Sequence, residues 1–182
     1  MRNFRRGSSA QALIETALVL PMLCTFIFGI VDFSRAIYDA AVIRNLSGEG
    51  SSLASRGTTL SDTIAIVVAD AGLDLNMAAN GCVIVSSVIP TNNATTFTIT
   101  SQATSTPCWS ANSHFGCIPP PSTCTGQTRT LPPQVGTVIF TNPNYTGYIT
   151  EVFYNFTPIT PIGAFLKNSH LLPTQLYAAT YM

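Results

Sequence analysis

Glu15 is the residue whose chemistry most needs explaining: a carboxylate near the front of the apolar run Ala12–Val31, with Arg2, Arg5 and Arg6 just ahead of it. A run of about twenty residues crosses a bilayer core of about 30 Å as one helix. An ionisable side chain at the bilayer centre costs roughly 2.5–3.5 kcal/mol, and less near an end where it can reach the interface. Glu15 therefore either snorkels to the surface or is retained for a partner inside a membrane or helix bundle. Pro21 lies in the same run. It removes one helical hydrogen bond and crowds the carbonyl four residues back, so a kink or local opening is predicted there. Such a weak point is tolerated in a static anchor and eases extraction in a helix that must leave lipid.

The remaining reactive groups lie mostly beyond this run. Cys24 is within it, whereas Cys82, Cys108, Cys117 and Cys124 follow it. Four cysteines outside the run read as up to two disulfides in an oxidising compartment, with three connectivities open. Zinc bound with His114 is the rival, but the spacings lack the close cysteine pairs of structural zinc sites, so no metal is expected. The outer part holds His114 and His170 with the acids Asp62, Asp70, Asp74 and Glu151, and no nucleophile elbow, zinc-protease helix or phosphate loop. No enzyme and no cofactor are expected. Lys and Arg total 8 against 8 Asp and Glu, and this neutrality argues against a nucleic-acid partner.

The charges also orient the chain. The basic residues before Ala12 and the first later charge, Asp32, place the N-terminus in the cytoplasm and residues 32–182 outside. A signal peptide has a similar layout, but its apolar core is shorter and ends at a cleavage site. This run contains an acid and a proline and continues without a break toward Arg56, so it is expected to be retained.

The elements that position these groups follow from periodicity. Gln11 to about Arg56 reads as helix, with Ile30, Phe33, Ile37 and Ala41 forming one apolar stripe and Asp32 pairing with Arg35 on the opposite side. Gly48, Gly50 and Gly57 are expected to loosen it and then end it. A shorter helix follows, with Ser61 as N-cap and Ile64, Val67, Val68 and Ala71 on one face. Cys82–Ile89 and Thr95–Thr100 read as a hairpin joined by Thr91-Asn92-Asn93. Residues 101–134, with Trp109, the cysteines and many prolines, are expected to be an irregular stapled loop. Val135–Phe140, Gly147–Phe156 and Leu176–Met182 have strand composition, the first two separated by Asn142-Pro143-Asn144, and Ile162–Lys167 a short helix. The expected fold is α+β: a cytoplasmic stretch over 1–10, a transmembrane and stalk helix over 11–57, and an outer domain over 58–182 with about four or five antiparallel strands.

One family gathers several of these features. Arg6-Gly7, the stretch Gln11 to Pro21, the exit Gly29-Ile30-Val31-Asp32-Phe33-Ser34-Arg35, and Leu53-Ala54-Ser55-Arg56-Gly57 resemble the TadE-like pseudopilins of tight-adherence pilus systems. Val152 to Pro158 looks like that family's strand leading into a proline. The resemblance is specific over residues 6–57 and weak over 147–162. It implies a minor pilin of the bacterial inner membrane, with its outer domain in the periplasm and then on the cell surface. Its partners would be other pilin subunits, including copies of itself, a prepilin peptidase and the inner-membrane assembly platform. It further implies cleavage between Ala10 and Gln11, so that Glu15 becomes the fifth residue, and assembly through Glu15, Pro21, Asp32 and Arg35. The family's glycine before the cut is replaced by Ala10, and the aromatic residue after the glutamate by Thr16. The alternative is a non-polymerising, single-pass periplasmic binding or structural protein.

Overall fold

The structure, a computed structural model, describes residues 5–72, 75–91, 96–106, 108, 111, 113–115, 125–130 and 145–182, with backbone only over 5–10. Arg2, Asp74, Trp109, Cys117, Cys124, the Asn92-Asn93 and Asn142-Pro143-Asn144 turns and the strand expected over Val135–Phe140 lie outside the described residues.

The elements are helices α1 (Arg5–Ser55), α2 (Leu60–Asp70), α3 (Met77–Asn80) and α4 (Pro161–Asn168), with strands β1 (Gly81–Pro90), β2 (Thr96–Thr104), β3 (Thr128–Thr130), β4 (Gly147–Asn155) and β5 (Gln175–Tyr181). This is the α+β arrangement expected: a long N-terminal helix, a short helix and an antiparallel sheet. The strands form one sheet in the order β3-β2-β1-β4-β5. By packing, the chain divides into a unit of residues 1–37 with 157–174 and a unit of residues 38–156 with 175–182.

In the larger unit, β1 is the central strand and is buried at all but one of its positions. That burial explains its run of β-branched residues, since a strand covered on both faces has no polar side to alternate with. It pairs with β2 with a shift between Ser87 and Val88. Ser87 and Thr100 meet there through their hydroxyls at 2.8 Å. Helix α2 starts at Thr59, not at Ser61: the Thr59 hydroxyl accepts from the Asp62 amide at 3.2 Å. Ile64, Val67 and Ala71 are buried as their spacing predicts.

Two expectations about glycine and the irregular loop need correction. Gly48 and Gly50 do not loosen α1, which continues to Ser55. Gly50 is a packing residue: a Cβ there would come within 2.7 Å of Thr150 Cγ2 and 3.2 Å of Val67 Cγ2. Gly57, at φ 92°, does end the helix, in the left-handed conformation glycine adopts at little cost. Residues 101–134 are not wholly irregular, because β2 runs on to Thr104 and β3 occupies Thr128–Thr130. Threonine-rich backbone on a sheet edge finds its ladder partners whatever the side chains favour. Cys108, from this stretch, is disulfide-bonded to Cys82 of β1.

Candidate functional site

The smaller unit is built on the N-terminal part of α1. Its apolar side chains face outward: Leu13, Leu18, Phe26 and Ile30 are among a continuous series of exposed large hydrophobic residues. The helix is long and apolar enough to cross a membrane. Glu15 is exposed on this surface and accepts a hydrogen bond from Gln11 Nε2 at 3.2 Å within its own helix. Pro21 sits inside α1. The backbone of Ala10, ahead of the expected cut, is already helical. The Thr16 and Thr25 hydroxyls donate to the carbonyls four residues back, Ala12 and Pro21, each at 2.8 Å. Both polar groups are thereby satisfied inside the helix, as a lipid environment requires.

Asp32 is placed differently from the sequence reading, which set it on the polar side opposite an apolar stripe. It is buried, and so is Ala36 one turn on, while Ile30, Phe33 and Ile37 are exposed, as is Ala41. The helix has its acid inside and its apolar stripe outside. The cause is the segment after β4. Asp32 Oδ1 accepts from the Ile159 amide at 2.9 Å and the Thr160 amide at 3.4 Å, and Oδ2 accepts from the Thr160 hydroxyl. Thr160 is the N-cap of α4, its hydroxyl also accepting from the Gly163 amide at 3.0 Å. Asp32 thus caps the amino end of α4, where donors are unpaired and the helix dipole favours an anion. Arg35, the expected partner, is half-buried and acts on Asp32 as a neighbouring charge. Gly163 has no alternative side chain, since a Cβ would fall on the Asp32 carboxylate.

A second buried acid organises the larger unit. Glu151 lies in β4 with no exposed surface. It accepts from the Ser113 hydroxyl, the His114 amide at 2.8 Å and the Tyr177 hydroxyl at 3.1 Å. With the Cys82–Cys108 bond, it ties Cys108, Ser113 and His114 to the sheet. Ser, His and Glu meet here, but not as a nucleophilic triad. The carboxylate takes the backbone amide of His114 and receives the serine proton donor directly, whereas the imidazole lies against Tyr177, ring centroids 4.5 Å apart. A triad needs the imidazole between acid and hydroxyl. Among the described residues no three His, Cys, Asp or Glu side chains gather as a metal site would need. Cys24 is a free thiol on α1.

Burial raises the Glu151 carboxyl above its usual value of 4.5, although three donors oppose the shift. Burial and the facing carboxylate push the Tyr177 hydroxyl upward, and Tyr181 to about 12. A carboxyl with a raised folded-state pKa binds its proton more tightly folded than unfolded. Its contribution is complete below the usual value and is lost as pH rises through the raised one. Relative to Glu151→Gln, the native chain is expected to lose stability as pH rises from about 4.5, with a slope of at most about 1.4 kcal/mol per pH unit. Denaturant titrations of both full-length chains at rising pH check this; parallel curves would contradict it.

Sequence reasoning identified Glu151 only as one acid among several. Its signal was an isolated carboxylate in the strand expected over Gly147–Phe156, otherwise uncharged. The Asp32–Thr160 contact joins residues 128 apart and left no local periodic trace.

Residues 10–51 match the family model described as TadE-like protein. No curated protein and no solved structure matches the chain. The match covers most of α1, including Glu15, Pro21, Asp32 and Arg35, so over residues 10–51 the chain is similar to the N-terminal part of TadE-like proteins.

Proposed function

We propose that the protein is a minor pilin or pseudopilin that assembles through α1 into or at a tight-adherence pilus and carries its sheet domain outside the cell. The observation that carries this reading is the inverted surface of α1. Exposed apolar residues run from Leu13 to Ile37, the charged Asp32 is turned inward, and Glu15 stands alone on the exposed side. Such a surface suits lipid first and then the apolar interior of a helix bundle. Cleavage before Gln11 would place a new ammonium one helical turn from Glu15, close to the Glu15 of an adjacent subunit. The ion pair then offsets the cost of each charge in a low-dielectric bundle. A prepilin peptidase and an inner-membrane platform are the further partners this route requires. The disulfide and Glu151 brace the outer domain against unfolding outside the cell. Recovery of the processed chain in sheared surface filaments tests the reading.

A further inference from the structure

We propose that residues 159–172, helix α4 with its flanking turns, form a second membrane-contacting element, an interfacial segment whose outward side chains rest in the leaflet that α1 leaves. The inference rests on α1 spanning a membrane. Its starting point is a groove of about 430 Å³ walled on one side by Phe26, Gly29 and Ile30 of α1 and on the other by Ile162, Leu166 and Leu172. Side chains that share a wall with Phe26 and Ile30 lie at the depth of Phe26 and Ile30. The apolar run ends at Val31, so that depth is within about 10 Å of the boundary at 1.5 Å rise per residue. Interfacial helices bury their apolar faces to about 5–10 Å.

The outward surface of the segment fits the same place. Ile159, Phe165 and Leu171 are 67%, 71% and 70% exposed. Residues 157–174 contain no acid, and Lys167 and His170 are the ionisable groups, a composition matched to anionic headgroups. The backbone is also prepared. Asp32 and Thr160 take amide hydrogens at the start of α4, which would otherwise enter the interface unpaired. Continuity with the span selects lipid over a second copy as the occupant, because the groove and the outward residues belong to one surface that begins on α1.

The full chain, with Trp109 replaced by phenylalanine, is inserted into vesicles of phosphatidylcholine and phosphatidylglycerol carrying brominated acyl chains. Single tryptophans are placed as Phe165→Trp, Leu171→Trp, Leu20→Trp in the span and Ile66→Trp in α2. Phe165→Trp and Leu171→Trp are expected to lose most of their emission, as Leu20→Trp does, while Ile66→Trp loses none. Quenching of Leu20→Trp alone would overturn the interfacial segment and leave the span standing. No quenching at any position would remove the span and the proposal with it. Protection of Phe165→Trp from both bromine and aqueous acrylamide would show a protein partner in place of lipid and overturn the proposal.

Discussion

Glu15→Ala is expected to insert into the membrane at least as well as the native chain and to disappear from surface filaments. Insertion improves because a carboxylate in an apolar span costs up to roughly 2.5–3.5 kcal/mol, and alanine removes that cost. On the proposed function, assembly fails because pairing with a neighbouring subunit would offset that same cost. The contact Glu15 makes within the chain, with Gln11 at 3.2 Å on an exposed surface, is too weak to justify keeping a charge there. If intersubunit pairing recovers most of the insertion cost, its loss lowers incorporation by about two orders of magnitude, at 1.4 kcal/mol per tenfold. Glu15→Gln keeps the shape and the hydrogen bond but not the charge, so it should fall near alanine. Blots of membrane and sheared fractions read both quantities. Normal filaments from Glu15→Ala would remove the ion-pair argument.

Asp32→Ala is expected to release residues 157–174 from α1 while the sheet stays folded. It strands two amides and a hydroxyl at the amino end of α4, and each buried donor left unpaired costs about 1–3 kcal/mol. Gly163→Ala should give the same result by a different cause, because the added methyl occupies the carboxylate's position. Asp32→Asn retains one acceptor and should lie between. Amide exchange of the full chain in detergent distinguishes these outcomes. Protection should fall over 159–172 and remain in β1 and β4. Unchanged protection over 159–172 in both variants would show that apolar packing alone holds the segment.

The parts of the fold that were legible in the sequence depend on local pattern. The long helix follows from a mostly apolar run of about twenty residues, and β1, β4 and β5 from β-branched and aromatic runs bounded by proline and glycine. Helix α4 was readable from Pro161 and the short apolar stretch after it. What could not be read depends on distant partners. A stripe at helical spacing says that Ile30, Phe33 and Ile37 share a face, not which side of the helix is the interior. For a helix in water the apolar face turns inward; here the inward face holds Asp32, because Thr160 and Ile159 supply its hydrogen bonds from across the chain. Gly50 was misread for the same reason. Its lack of a side chain looked like a helix weakness, and only Thr150, a hundred positions on, shows it to be a close contact.

The most direct test of the pilin reading is intact mass and N-terminal sequencing of the chain from sheared surface material and from membranes. A chain that begins at Gln11 in the sheared fraction is the expected result, since it requires both peptidase cleavage after Ala10 and entry into a filament. A chain that begins at Met1 and is confined to membranes would contradict it, and α1 would then be an anchor that never assembles.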